Sequence, residues 1–243
     1  AEISESTPNE LRVHTRNIRS TALGRELCAN IRASILFAGP MLARAGEITL
    51  PPPGGDVIGR RRVDTHLHAL RALGAEIRVN DQFEMQAEEL RGAQIFLDEA
   101  SVTATENAMM AATRARGTTI LRNAASEPHV QDLARFLNSI GARISGIGSN
   151  ALTIEGVEKL RGGEVEIAPD YIEVGSLIGL AAVTRGELLI QNAAPEYLQM
   201  VFVMFERLGV KCPVRGKDVF VPAEQSLKIV DDVHNAIPKI DDG

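Results

Sequence analysis

Tryptophan is absent from the 243 residues, and aromatic side chains make up only 4% of them. Few rings are therefore available to stack on bases, and a formal net charge of -6 denies a nucleic acid the basic surface it needs. A nucleic-acid partner is excluded on both counts. Cysteine is almost as scarce. Cys28 and Cys212 stand far apart, which implies neither a disulfide framework nor a zinc cluster and fits a reducing cytoplasm. No apolar run is long enough to span a bilayer and no basic-plus-apolar leader opens the sequence, so no membrane association is expected. The chain opens on Ala1 rather than methionine and stops at Asp242-Gly243, as a piece of something longer would. What is present is 44% apolar content, enough for a buried core in one large or two smaller domains.

The main organisational fact is a repeat. Gly46, Gly117 and Gly186 each open a short strand (EITL, TTILR, ELLI), and the second and third strands run into the same tripeptide, Asn123-Ala124-Ala125 and Asn192-Ala193-Ala194. A helix follows each. Apolar residues at helical spacing mark these helices: Val130, Leu133, Leu137 and Ile140 in one, Leu198, Val201, Phe205 and Leu208 in another. In the first unit the equivalent positions are Val63, His66, Leu70 and Leu73. Gly74, Gly141 and Gly209 end the three helices at intervals of 67 and 68 residues. Strands are expected after each, at Ala75–Val79, Ala142–Ser145 and Val210–Val214, with a second strand at Gln82–Gln86, Ala151–Ile154 and Asp218–Val221. Another helix precedes each unit, at Glu26–Ala45, Thr103–Arg116 and Tyr171–Thr184. The fold class is therefore α/β, built from repeated βαβαββ units.

The first unit departs from the other two in one short segment. From the strand-opening glycine to the first apolar helix residue takes 17 residues in the first unit and 13 and 12 in the others. The extra residues lie within the stretch Pro51 to Asp64, PPPGGDVIGRRRVD. Loops do lengthen freely, and a lone histidine near an apolar face is commonly a satisfied core residue. Both departures on one segment nevertheless mark a candidate site. Gly54, Gly55 and Gly59 supply pivots around Asp56, and Pro51 to Pro53 stiffen one side, in the manner of a lid carrying a carboxylate. Arg60, Arg61 and Arg62 fall at the first turn of the Val63 helix, where free N–H groups favour a phosphate. Three adjacent arginines cannot all face one ligand.

Three further features are weaker alone. Leu27, Ile31, Ile35, Ala38 and Leu42 form the stripe of the preceding helix, with Arg32 at its edge and Pro40 expected to kink or end it. Thr103 and Glu106 have capping-box spacing after Ser101-Val102. Met109 and Met110 read as core, and Gly146 to Gly148 lies between strands, so it is no dinucleotide fingerprint.

Taken together, Ile31-Arg32-Ala33-Ser34 with Gly39-Pro40, the PGG-Asp56-xIGxR-x-VDxH stretch, Leu73-Gly74-Ala75, Ser101-Val102 and Glu127-Pro128 resemble the bacterial UDP-N-acetylglucosamine 1-carboxyvinyltransferases. The resemblance covers nearly the whole chain in order. These enolpyruvyl transferases open peptidoglycan synthesis. The resemblance implies two lobes, each an inside-out α/β barrel of three such units, as in the sister shikimate-pathway transferases. Residues 1–168 would be most of the loop-bearing lobe, lacking most of its first unit, and 169–243 would begin the second. The remainder of the same enzyme would be needed to complete both lobes, and the fragment alone is expected to be inactive.

The resemblance also implies the chemistry: transfer of the enolpyruvyl group of phosphoenolpyruvate to the 3′-hydroxyl of UDP-N-acetylglucosamine with release of phosphate, without metal or organic cofactor. Asp56 matches the proton donor, a cysteine in most members. Arg32 and Arg61 match basic residues around the reacting phosphate and sugar nucleotide. Arg62, Val63, Asp64, Thr65 and His66 match the nucleotide-contacting segment, and Ser101 and Val102 the diphosphate loop. Two positions depart from the pattern: Arg62 stands where proline is common, and Glu99 where a lysine helps hold the nucleotide. An unperturbed aspartate, with a pKa of roughly 4, needs desolvation to act as an acid at neutral pH. It also lacks the soft sulfur that fosfomycin alkylates, so insensitivity to that epoxide is expected. An enolpyruvyl transferase with another acceptor, and a non-catalytic repeat scaffold, remain the alternative readings.

Overall fold

The computed structural model describes residues 2–55, 62–231, 233–234 and 236–237. It divides into two compact units, Ala1–Val165 and Glu166–Gly243. The repeat is visible in both as a sheet whose strands follow one order. In the first unit β3 (Glu47–Leu50), β4 (Glu76–Val79) and β5 (Phe83–Gln86) are ordered β3-β5-β4, all antiparallel. The next module has β6 (Gln94–Phe96), β7 (Thr118–Arg122), β8 (Arg143–Ser145) and β9 (Ala151–Glu155) in the order β6-β7-β9-β8. There β6 joins β7 in parallel, and the other pairs are antiparallel. In the second unit β10 (Leu188–Ile190), β11 (Val214–Arg215) and β12 (Asp218–Val221) repeat the pattern as β10-β12-β11. In each sheet the last strand in sequence thus pairs between the two preceding strands, and β6 adds an edge strand to the second. A hairpin of β1 (Glu2–Thr7) and β2 (Glu10–His14) forms a separate two-stranded sheet.

Helices cover these sheets. The first unit carries α1 (Arg25–Asn30), a 3-10 segment Arg32–Phe37, α2 (Ala38–Ala45), α3 (Asp64–Ala72), α4 (Val102–Ala112) and α5 (Pro128–Ser139). The second carries α6 (Tyr171–Thr184), a 3-10 turn Pro195–Tyr197 and α7 (Gln199–Arg207). The alternation in β3 and β7 buries Ile48 and Leu50, and Thr119 and Leu121. Ile48, Leu50 and Leu121 join Leu70 and Leu73 of the α3 segment and Met109 of α4 in one continuous core. Val174, Ile178 and Ala181 of α6 meet Val219 and Val221 of β12 in the second unit's own core. Gly74, Gly141 and Gly209, with φ of 100°, 106° and 74°, terminate the three repeat helices in the left-handed region open to glycine. The shared Asn-Ala-Ala motif has a matching cause. Asn123 and Asn192 both take positive φ (56° and 51°), and the alanine after each donates its N–H to a loop carbonyl, of Asn150 and Lys217 respectively.

Several expectations need correction. The single helix expected over Glu26–Ala45 breaks at Ile31, leaving Leu27 72% and Ile31 55% exposed and only Ile35, Ala38 and Leu42 of its stripe buried. The loop docked beside it is the reason. The Gly54 and Gly55 N–H groups donate to the Cys28 and Ala29 carbonyls, removing the acceptors that would have continued the helix. Pro40 neither kinks nor ends a helix. It sits in the first turn of α2, where a missing N–H breaks no intrahelical bond. The strand expected over Val210–Val214 shrinks to Val214–Arg215, because the Gln225 amide takes both the N–H and the carbonyl of Lys211. Met109 is fully buried, and Gly146 and Gly148 turn the chain between β8 and β9, as expected. Cys28 and Cys212 are both free thiols.

Candidate active site

The glycine pair before Asp56 is required by close approach as well as by backbone freedom. A side chain on Gly54 would overlap the Ala29 carbonyl, and one on Gly55, whose φ is 94°, would lie 3.2 Å from Arg32 Cβ. The base of the PPPGGD loop is thereby seated on the start of the Arg32 segment. Asp56 and Arg61, together with Arg60, lie outside the described residues.

Arg32 connects the loop base to α3. Its Nη2 donates to the Arg62 carbonyl at 2.9 Å, two residues before α3 begins. The helix starts at Asp64, with Val63 as its N-cap, so Arg62 precedes the first turn rather than forming part of it. The acidic Asp64 occupies that turn, where a negative charge complements the unpaired N–H groups. Arg62 Nε hydrogen-bonds Asp64 Oδ2 at 3.0 Å, and its Nη2 lies 3.6 Å from Asp98 Oδ2. Asp64 above all, then Asp98 and Glu99, hold the Arg62 guanidinium pKa above its ordinary value. Arg62 and Glu99, the two positions that depart from the resembled pattern, interact electrostatically, and Asp64 and Asp98 act on Arg62 more strongly than Glu99 does.

Thr65 and His66 face inward from α3. Thr65, 4% exposed, donates its hydroxyl to Asp98 Oδ1 at 2.7 Å. His66 is 2% exposed, and its two ring nitrogens meet Asn107 Nδ2 and Thr103 Oγ1, each at 3.2 Å. Burial chiefly, and the nearby Arg32 charge, push its pKa down to about 4, so the ring is neutral at physiological pH. The structure therefore gives His66 the satisfied, buried geometry of a core histidine. It sits directly behind the Ser101 to Thr103 turn.

That turn is the start of α4. Ser101 is the N-cap, its Oγ accepting from the Ala104 N–H at 3.3 Å. The capping box expected from Thr103 and Glu106 does not form, because the helix begins two residues earlier and Glu106 is out of register with the cap. Further along α4, Glu106 is largely buried. Desolvation and then the Glu127 carboxylate push its pKa up to about 7, and Glu127 Oε2 is itself buried without a hydrogen-bond partner. Asn107 is fully buried and bonds in three directions. Its Oδ1 accepts from the Gly39 N–H at 2.6 Å, and its Nδ2 donates to the Ile35 carbonyl at 2.9 Å and faces His66.

The site thus unites Arg32, Arg62, Val63, Asp64, Thr65, His66, Ser101 and Val102 on three neighbouring elements, with Asp98 and Asn107 as the residues that tie them together. Neither Asp98 nor Asn107 was singled out from the sequence. A polar residue four positions after Thr103, on the stripe that also carries Ala104, Ala108 and Ala111, was the available signal for Asn107. Among the described residues no group of three or more His, Cys, Asp or Glu side chains could hold a metal ion. No helix among them is long and apolar enough to cross a membrane.

Comparisons with known proteins agree with this architecture. The sequence profile of the EPSP synthase family (3-phosphoshikimate 1-carboxyvinyltransferase) matches residues 1–240. A curated UDP-N-acetylglucosamine 1-carboxyvinyltransferase of Bradyrhizobium diazoefficiens is 58% identical over 96% of this chain and 54% of its own length. One of Treponema denticola is 54% identical over 96% of this chain and 55% of its own. The chain spans about half the length of these relatives. In fold it is similar to the enolpyruvyl transferase NikO from Streptomyces tendae, with a TM-score of 0.71, 21% identity, and coverage of 84% of this chain and 49% of that one. It is also similar to EPSP synthase from Acinetobacter baumannii, with a TM-score of 0.63, 18% identity, and coverage of 84% and 50%. The resemblance and the fold class expected from the sequence both hold, and the chain belongs to the EPSP synthase family of enolpyruvyl transferases.

Proposed function

We propose that the full-length protein containing this chain transfers the enolpyruvyl group of phosphoenolpyruvate to the 3′-hydroxyl of UDP-N-acetylglucosamine, releasing phosphate, as the first committed step of peptidoglycan synthesis in the cytoplasm. The observation that carries this reading is the joining of residues 62–66 to the Ser101 turn. The Thr65–Asp98 and His66–Thr103 hydrogen bonds connect them, and Arg32 is bonded to the Arg62 carbonyl beside them. The high identity to proteins named for this reaction supports it. Residues 1–168 are assigned to the loop-bearing lobe and 169–243 to the start of the second lobe, both completed by the rest of the enzyme.

In the proposed mechanism Asp56 delivers a proton to the methylene carbon of phosphoenolpyruvate while the acceptor hydroxyl, losing its proton to a base, bonds to the adjacent carbon. The tetrahedral adduct then expels phosphate as a proton leaves the new methyl group, regenerating the double bond in the product. Arg32 and Arg61 stabilise the charge of the phosphate and the sugar nucleotide. Arg62, Val63, Asp64 and Thr65 form the nucleotide side of the site, with buried His66 behind them and Ser101 and Val102 against the diphosphate. No metal or organic cofactor takes part.

A second reading, an enolpyruvyl transferase with a different acceptor, is favoured by Glu99, whose carboxylate would repel a diphosphate. The Arg62 cation acts on that carboxylate as well, more weakly than on Asp64 and Asp98. Mass analysis of products from phosphoenolpyruvate with a panel of sugar nucleotides separates the two. Enolpyruvyl-UDP-N-acetylglucosamine as the main product supports the first reading, and product from another acceptor alone overturns it.

A further inference from the structure

Three buried hydrogen bonds fix the protonation of a histidine and, through it, the role of a hydroxyl. The Gly39 N–H can only donate, so the atom of Asn107 that it meets must be the carboxamide oxygen. The other atom is then Nδ2, with one hydrogen on the Ile35 carbonyl and one on His66 Nδ1. A nitrogen that receives a hydrogen carries none. The neutral His66 ring consequently bears its proton on Nε2 and donates it to Thr103 Oγ1 at 3.2 Å. Among the described residues the Thr103 hydroxyl has no other partner, so its own hydrogen is not spent on the ring and is available to donate. With the opposite tautomer the hydroxyl would spend its hydrogen on the ring and present only lone pairs, which an anion repels.

Thr103 lies next to Ser101 and Val102, in the part-exposed first turn of α4, and it is not among the residues that match the nucleotide-binding pattern. We infer that Thr103 is an additional binding residue for the acceptor nucleotide, donating its hydroxyl to a diphosphate oxygen, and that His66 and Asn107 are positioning residues that aim it. The inference rests on the reading of this site as the acceptor site. It also gives the buried histidine a part in binding without requiring it to touch the ligand.

The test is steady-state kinetics of the full-length enzyme with UDP-N-acetylglucosamine varied at saturating phosphoenolpyruvate. Loss of a hydrogen bond to a charged group in Thr103→Val should raise the nucleotide KM about tenfold. The KM for phosphoenolpyruvate should change less than about twofold, and Thr103→Ser should recover most of the loss. His66→Leu removes the aiming proton, whereas His66→Gln keeps an N–H near the position of Nε2. The leucine variant should therefore raise the nucleotide KM several-fold in the wild-type background and add nothing in Thr103→Val, and the glutamine variant should raise it less than either the leucine variant or Thr103→Val does. If His66→Leu fails to fold, the contrast of His66→Gln with Thr103→Val still decides. A nucleotide KM unchanged in Thr103→Val, or additive effects at 66 and 103, overturns the inference alone. Absence of any turnover of UDP-N-acetylglucosamine by the wild-type enzyme overturns the site reading and the inference together.

Discussion

Thr65 Oγ1 donates to Asp98 Oδ1 at 2.7 Å, fastening the first turn of α3 to the loop that leads into α4. Because Thr65 is buried and Asp98 also faces Arg62 Nη2 at 3.6 Å, this bond sets the spacing of the two segments proposed to meet the nucleotide. Thr65→Val keeps the shape and removes the donor. A stability loss of about 1 kcal/mol is expected from chemical denaturation, with a raised KM for the sugar nucleotide. A variant with wild-type stability and KM would show that the bond does not organise the site.

Acid should destabilise the first unit through His66. Its pKa is about 4 in the fold against an ordinary 6.5, so the unfolded chain binds the proton more tightly. Stability contributed by the neutral ring is fully present above pH 6.5 and is lost as pH falls toward 4, by up to about 3 kcal/mol. Denaturation midpoints of wild type and His66→Gln across that range check this. A wild-type decline no steeper than that of the variant contradicts it.

Glu106 should act with the opposite sign. Its pKa of about 7, above the ordinary 4.5, means that the folded protein holds the proton more tightly than the unfolded chain. Stability is greatest below pH 4.5 and falls as pH rises through 7, when two carboxylates, Glu106 and Glu127, must share a desolvated space. Glu106→Gln should gain about 1–2 kcal/mol relative to wild type at pH 8, solvent screening included, and little at pH 4.5. An equal gain at both pH values would contradict the ionisation account.

The aspartate at position 56 should make the enzyme insensitive to fosfomycin, since a carboxylate lacks the soft sulfur that opens the epoxide. Asp56→Cys should become covalently labelled, with a mass increase of one fosfomycin confined to the peptide bearing residue 56. Labelling of wild-type Asp56 itself would contradict the expectation.

The repeat was legible because each module carries its own punctuation: helix-ending glycines with positive φ, and the Asn-Ala-Ala turn with its left-handed asparagine. These are local backbone requirements, and sequence records them directly. The break at Ile31 was not legible. It arises from Gly54 and Gly55 bonding to the Cys28 and Ala29 carbonyls, a contact between segments some 26 residues apart for which no local signal exists. The same holds for Lys211, whose backbone is taken by the side chain of Gln225. In the site, the break in apolar pattern at His66 was visible. Its partners Asn107 and Thr103 follow 41 and 37 residues later, and only the packing of α3 against α4 joins them.

The most direct measurement is phosphate release from phosphoenolpyruvate in the presence of UDP-N-acetylglucosamine, made with the full-length protein and its Asp56→Asn variant. The account predicts acceptor-dependent release by wild type that drops by about a hundredfold or more in the variant, the usual cost of removing a general acid. Release that persists in the variant would contradict the role of Asp56, and a folded full-length protein that releases no phosphate would contradict the transferase assignment.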